Sequence, residues 1–318
     1  MSITTSAEGE GRRPRLRYAH EAMTTVFEII TVHDRPAYAR QAAQEAFQEI
    51  NRVEQDLSRF IAYSDVARIN AAPVGEPVSV GPRTLACLAI ARQAWEWSGG
   101  VFDVTLGALI ALWKDSRRQG RAPTDEQIAE ARAQTGMDGL EIDADARTVR
   151  RTRPGVCLDL GGVGKGFALD KAAEALQVWN ILQVVVQGGG STVLAFGRPP
   201  DEAGWAMGVG ADEDEADPPL RILVEDSAVS ASGTFVQGGH IIDPRTARPA
   251  ECQVIRAWAL APNAALADAL STAFLVLGVD EVGKLCRRHQ GVGALFLLRK
   301  GDDERELRRI GPWRVSVE

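Results

Sequence analysis

An α+β domain, built on a mixed and largely antiparallel sheet flanked by helices, is the fold class this chain predicts, and three observations lead there. Short β-rich runs recur along the 318 residues among helical patterns of several lengths, no regular strand–helix alternation of a doubly wound sheet is present, and no linker divides the sequence. Length allows one large or two ordinary domains with an ample core. The expected organisation is a disordered tail over residues 1–18 and one domain over 19–318.

Val26-Phe27-Glu28-Ile29-Ile30-Thr31-Val32 reads as the first strand. Pro36 to Leu57 carries Ala, Phe, Ile and Val at helical spacing behind a first-turn proline, and a second helix fits Pro82 to Trp97, with Gly99-Gly100 as its cap. Asp115 to Glu126 turns basic and polar, which suggests a surface loop, followed by a helix from Thr124 with Gln127 completing a capping box. Strands around Leu140 and Val149 flank a turn at Asp143 to Arg147. Val184 to Val186 and Thr192 to Phe196 form a hairpin around Gly188-Gly189-Gly190, and residues 211–219 form an acidic loop. Strands follow at Leu220 to Val224, Ala228 to Ser232 and Val254 to Leu260, then helices at Ala264 to Leu277 and Asp280 to His289. A last strand pair, Ala294 to Leu298 and Glu306 to Ile310, closes the sheet.

Composition excludes several function classes. A net charge of −7 gives no positive field to gather nucleic acid or an anionic membrane. No segment reaches the ~18 uninterrupted apolar residues of a membrane span. The polar start, Met1 to Pro14, has no apolar core, so the sequence as given reads as cytoplasmic and unanchored. Cys87, Cys157, Cys252 and Cys286 are scattered without C-x-x-C spacing and read as reduced core residues.

The most informative stretch is Asp159-Leu160-Gly161-Gly162-Val163-Gly164-Lys165-Gly166, between the apolar run Val156-Cys157-Leu158, read as a short buried strand, and a helical pattern from Phe167 to Leu176. Strand, glycine turn and helix N-terminus together favour a bound anion such as a phosphate, and Lys165 adds a point charge. A close turn with a solvated lysine accounts for the same residues. A Walker A loop would need Gly at Asp159 and Ser or Thr at Gly166, and a dinucleotide fingerprint would need Gly at Phe167, so neither motif fits.

Asp268 and Thr272, four apart in a helical pattern, share one face, and a carboxylate with a hydroxyl supplies the hard oxygens Mg²⁺ prefers. A helix-surface hydrogen bond is the alternative. His240 precedes a turn at Asp243-Pro244, where Asp243 could orient it; a structural histidine is the other reading. Ser98 to Thr105 supplies a further carboxylate and hydroxyl after a helix end, or simply a capped turn.

Taken in order, Met23-Thr24-Thr25, Leu57-Ser58-Arg59-Phe60, Gly99 to Thr105, Asp159 to Gly166 with Asp170, Gln187 to Gly190, Ser230-Ala231-Ser232-Gly233, His240 to Pro244 and Ala267 to Ala273 closely resemble the ApbE family of FAD:protein FMN transferases, over about residues 20 to 280. The resemblance implies an FAD cleft between lobes, Mg²⁺, and transfer of the FMN half of FAD onto a Ser or Thr hydroxyl of an acceptor protein with release of AMP. By it, Asp268 and Thr272 hold the metal with their side chains, and main-chain oxygens of Gly162 and Ser271 complete the protein's share. Lys165 lies near the phosphates of FAD and Asp159 at a polar edge of the nucleotide. Met23, Phe60, Phe102 and Asp103 line the flavin or adenine pocket, where Met and Phe suit flat rings. Ile242 contacts FAD through its backbone. His240 positions FAD or serves as acid or base, beside Asp268 and Lys165 in the catalytic set.

Two departures stand out. The chain has Met-Thr-Thr where many members have Met-Gly-Thr, and it lacks the export signal or lipid anchor many members carry, which points to a cytoplasmic acceptor. Asp268-Ala269-Leu270-Ser271 has the spacing of an acceptor segment but reads as the metal helix, with Phe274 out of pattern for self-modification. Two further outcomes fit the same residues: hydrolysis of FAD to FMN and AMP, and FAD binding without turnover.

Overall fold

The computed structural model describes residues 2–6, 14–209, 220–233, 241–250, 253–300 and 304–315. In chain order the elements are β1 (Ser2–Ser6), β2 (Arg15–Ala22), β3 (Thr25–Val32), α1 (Pro36–Leu57), α2 (Asp65–Ala71), β4 (Val78–Ser79), α3 (Pro82–Trp97), α4 (Gly107–Arg118), α5 (Asp125–Ala133), β5 (Leu140–Asp143) and β6 (Thr148–Arg151). The second half adds α6 (Gly164–Val178), β7 (Val184–Gly188), β8 (Thr192–Phe196), β9 (Trp205–Val209), β10 (Leu220–Val224), β11 (Ser227–Gly233), β12 (Ile242–Asp243), β13 (Arg248–Pro249), β14 (Val254–Ala261), α7 (Ala264–Arg288), β15 (Gly293–Arg299) and β16 (Arg305–Ile310).

Nine strands form one sheet in the order β1-β2-β3-β7-β8-β11-β14-β15-β16, every neighbouring pair antiparallel. The expected α+β class and its largely antiparallel sheet are what the structure shows. Both faces of the sheet are covered, which explains why its central strands read as continuous apolar runs. In β7, Val184 and Val186 join the main core, whereas Val185 faces a second core with Trp205, Ile222 and Trp258. Helices α1, α6 and α7 cover the first face. Their buried sides are rich in alanine, with Ala39, Ala42, Ala43 and Ala46 in α1 and Ala168, Ala172 and Ala173 in α6, so the helices approach closely.

Most element boundaries follow the sequence reading. Pro36 opens α1 as the first-turn proline, and Thr124 and Gln127 make the reciprocal capping box of α5. The two expected helices after Ala264 run on as α7 with a break at Gly278, whose φ of 73° lies outside the helical region. Four regions differ. Residues 1–18 hold β1 and the start of β2, where Leu16 and Tyr18 are buried and Arg15 and Arg17 exposed, a period-two alternation that marks a half-buried strand. Val156 to Leu158 makes a single parallel bridge, Leu106 to Cys157, rather than a strand. The polar stretch from Asp115 begins inside α4, whose Leu109 is fully buried, so one apolar anchor outweighs a charged helix end. The short helix α2 and strands β4, β9, β12 and β13 have no counterpart in the sequence reading. The acidic segment 211–219 lies outside the described residues.

The turn between β2 and β3 accounts for one departure. Ala22 pairs with Thr25, leaving a two-residue loop in which Met23 and Thr24 have φ of 49° and 59°. Left-handed φ at both central residues is what a type I′ hairpin requires, and glycine is favoured at the second. Thr24, β-branched, occupies the position where the family resemblance favours glycine. Thr24→Gly should relieve strain worth roughly 1–2 kcal/mol and give back part of it as unfolded-chain entropy. A net stabilisation of about 0.5–1 kcal/mol is expected by chemical denaturation.

Candidate active site

The glycine turn is positioned at both ends. Upstream, the Asp159 N–H donates to the Val104 carbonyl at 2.8 Å. One Asp159 oxygen accepts the Gly161 N–H at 2.9 Å, and the other lies 3.3 Å from the Arg59 guanidinium, which stacks over the Phe60 ring at 4.7 Å. Phe60 is 84% exposed, so its ring is free to meet a flat partner.

Downstream, α6 begins at Gly164 and its third residue, Gly166, lies against the start of α7. A Cβ there would stand 2.7 Å from Ala265 Cα and would overlap the Ala264 carbonyl still more. Only a residue without a side chain lets the two helix N-termini come this close. Asp170, one turn on, accepts the Ala264 and Ala265 N–H groups at 2.7 and 2.9 Å, and Asn263 caps the same helix by accepting from Leu266. Burial pushes the Asp170 carboxyl up to about 7, against those two N–H bonds that hold it down. The folded carboxyl therefore keeps a proton that the unfolded chain, with a carboxyl near ~3.9, has released, so this group's contribution to stability falls as pH rises from about 4 to about 7. Denaturation of the wild type against Asp170→Asn should show the variant gaining on the order of 4 kcal/mol across that window and a flat difference above it.

With α6 and α7 so locked, Asp268 faces the glycine turn. Its side chain is 6% exposed; Oδ2 accepts the Gly166 N–H at 3.1 Å and lies 3.8 Å from Lys165 Nζ, and Oδ1 accepts from Ser230 at 3.5 Å. Burial pushes this carboxyl up, against the Lys165 ammonium, the Gly166 N–H and the Ser230 hydroxyl. Ser230 in turn contacts Thr192 at 2.8 Å. One turn along α7, the Ser271 hydroxyl donates to the Asp268 carbonyl at 2.9 Å, and Ser232 sits 2.8 Å from Ser271 Oγ and 3.2 Å from Thr272 Oγ1. A Cβ on Gly162 would lie 3.8 Å from Thr272 Oγ1 and 3.1 Å from the edge of Phe102, so the turn, α7 and that ring adjoin. Lys165 Nζ also reaches the Gly161 carbonyl at 3.4 Å.

The structure thus brings together Gly162, Lys165, Phe102, Asp268, Ser271 and Thr272, and ties in Asp159 and Phe60 through Arg59. Phe102 is buried and its N–H is held by Ser98 Oγ at 2.9 Å. Asp103 beside it accepts both the N–H and hydroxyl of Thr105, at 2.7 and 2.6 Å; burial pushes its carboxyl up, with these two bonds opposing. Met23 lies in the β2–β3 turn, its N–H held by Glu54 at 2.9 Å. Ile242 is buried in a small core with Leu106, Leu109 and Ile128, and the adjacent Asp243 is taken by Arg245, at 2.7 Å to its nearest oxygen. His240 lies outside the described residues, as does Cys252; of the cysteines read as reduced core residues, Cys87 is buried while Cys157 and Cys286 are half-buried, each unpaired.

Three residues escaped the sequence reading as site members: Arg59, Ser230 and Ser232. Ser230-Ala231-Ser232 does carry a signal, since alternate residues of a strand share a face and both hydroxyls point where α7 packs. Arg59 stands in the Leu57-Ser58-Arg59-Phe60 motif, but its pairing with Asp159, distant in sequence, leaves no local signal.

A donor set of one buried carboxylate, neighbouring hydroxyls and a turn carbonyl fits a hard divalent cation. Among the described residues no group of three or more His, Cys, Asp or Glu side chains converges. No helix there is long and apolar enough to cross a membrane.

An antiparallel sheet whose helix pair presents a glycine turn, a lysine and a buried carboxylate is the architecture of a flavin transferase: residues 23–296 match the model of the ApbE family, and the chain belongs to that family. Among its relatives, the FAD:protein FMN transferase of Treponema pallidum is 30% identical, over 92% of this chain and 87% of its own length. That of Vibrio cholerae is 28% identical, over 81% of this chain and 79% of its own. The solved flavin transferase ApbE from Vibrio cholerae superposes with a TM-score of 0.81 at 26% identity, covering 93% of this chain and 97% of that one. The apo flavinyl transferase ApbE of Pseudomonas stutzeri gives 0.82 at 25% identity, covering 95% and 96%.

Proposed function

We propose that this protein moves the FMN moiety of FAD onto a Ser or Thr hydroxyl of an acceptor protein and releases AMP. The observation that carries the reading is the meeting of Gly162, Lys165, Asp268 and Thr272 at the junction of two helix N-termini, on a chain of the ApbE family. In the reaction the acceptor oxygen attacks the FMN-side phosphorus, the P–O–P bridge breaks, and AMP leaves with the bridging electron pair. The hydroxyl proton goes to a base, a role for which His240 is proposed on sequence alone.

Asp268 and Thr272, with the Gly162 carbonyl and the Ser271 main chain, would hold Mg²⁺, which when bound supplies charge neutralisation for the diphosphate. Lys165 adds a positive charge beside the same carboxylate, and the positive end of the α6 dipole favours phosphate oxygens. Phe60, presented to solvent by Arg59, and Phe102 against Gly162 offer faces and edges for the flat rings of FAD, with Met23, Asp103, Asp159 and Ile242 proposed as its further contacts.

The test mixes the purified protein with FAD, MgCl₂ and candidate acceptors and follows AMP release together with flavin fluorescence retained on a denaturing gel. AMP matched by fluorescent acceptor is the expected result. AMP without labelled protein would convert the proposal to FAD hydrolysis, and neither product would leave a binding protein.

A further inference from the structure

Proton accounting around Ser232 fixes the direction of a chain of hydroxyls. A hydroxyl has one proton to give, and a carbonyl has none. Ser271 Oγ lies 2.9 Å from the Asp268 carbonyl oxygen, so its single proton is committed there. At the 2.8 Å contact between Ser232 and Ser271 the donor is therefore Ser232. That uses the one Ser232 hydroxyl proton, so at the 3.2 Å contact with Thr272 the donor is Thr272. The rival target for the Thr272 proton is the Asp268 carbonyl at 3.5 Å, which is farther and already receives Ser271. The result is a one-way file from Thr272 through Ser232 and Ser271 to the Asp268 carbonyl.

A ligand to a cation must present a lone pair, and a threonine hydroxyl does so most readily when its proton points elsewhere. The file sends the Thr272 proton inward, toward β11, and leaves the lone pairs of an oxygen that adjoins Gly162 available to a cation. The same strand serves the carboxylate: Ser230, two residues before Ser232, reaches Asp268 Oδ1. β11 is held between β8 and β14 within the nine-stranded sheet, a rigid mount for both hydroxyls.

We infer that Ser232 is a positioning residue for divalent-cation binding, acting by accepting the Thr272 proton so that Thr272 Oγ1 is fixed as a lone-pair donor. The inference rests on the proposed roles of Asp268 and Thr272. Partners of this outer kind cost roughly 10–100-fold in metal affinity when removed.

Mn²⁺ serves as the probe, with free Mn²⁺ followed by its electron paramagnetic resonance signal during titration of the full chain, without FAD. Ser232→Ala should weaken Mn²⁺ binding by about 10–100-fold, Thr272→Ala by at least as much, and Ser232→Thr, which keeps a hydroxyl, should bind within a few-fold of wild type. In a Thr272→Ala background, Ser232→Ala should add nothing, since the proton it would accept is gone. Unchanged binding in Ser232→Ala, or an equal loss with and without Thr272, overturns the inference while the cation site stands. If Ser232→Ala does not fold, tight binding by Ser232→Thr supports the role and loss of binding in that folded variant overturns it. A wild type that binds no Mn²⁺ overturns the cation site and this role with it.

Discussion

Replacing Asp268 by Asn should eliminate cation-dependent flavin transfer while leaving the protein folded. The carboxylate is buried, and burial pushes it toward the neutral form, so folding holds it ready for charge at a cost in stability. Asn keeps a shape and an oxygen able to accept from Gly166 N–H or Ser230 but carries no charge for a cation. A Lewis acid at a phosphoryl centre contributes several kcal/mol, so a rate loss of roughly 10³-fold or more is expected. Thermal melting should be unchanged or slightly raised, because the burial penalty of the charge disappears. Asp268→Ala should be equally inactive and less stable, by about 1–3 kcal/mol, since the Gly166 N–H loses its acceptor. Full activity in either variant, measured as AMP release and labelled acceptor, removes the carboxylate from the mechanism.

The second large effect is structural. Gly166→Ala should destabilise the fold by about 3 kcal/mol or more, because the added Cβ meets the backbone of Ala264 and Ala265, which no rotamer change can move aside. Relief requires α6 to part from α7, and that separation carries Lys165 and the glycine turn away from Asp268. Melting and activity should fall together, with residual activity lowest where the structure is most displaced. A Gly166→Ala protein with wild-type melting and turnover would mean that the two helix N-termini are not in close contact.

Local signals made much of this fold legible. The alanine-rich helix behind Pro36, the capping box at Thr124 and the Val184 to Phe196 hairpin depend on neighbours in sequence, and their boundaries follow from pattern and capping chemistry. Strand β2, Arg15–Ala22, is hidden in the sequence because arginines on its exposed face resemble a polar tail, and only pairing with β3 shows that Leu16 and Tyr18 turn inward. In the site, Asp268 and Thr272 stand out by helical spacing and Gly162 and Lys165 by the glycine run. What brings them together does not stand out: Gly166 against Ala264, Asp170 on the first turn of α7, and Ser230 with Ser232 reaching from another strand are contacts between elements about 40 to 100 residues apart. Arg59 is the extreme case, since its ion pair with Asp159 exists only after the chain has folded. The threonine in the β2–β3 turn shows the reverse relation, in which an odd residue in sequence becomes intelligible as left-handed backbone once φ is known.

The central claim is that Asp268 and Thr272 on α7 and the turn at Gly162 together grip a divalent cation against the diphosphate of FAD. A crystal structure of the protein soaked with FAD and MgCl₂ measures this directly. The account predicts one cation within bonding distance of Asp268 and Thr272 and in contact with a phosphate oxygen, with Lys165 close by. Diphosphate density elsewhere on the molecule, or FAD bound with no cation at Asp268, would contradict it.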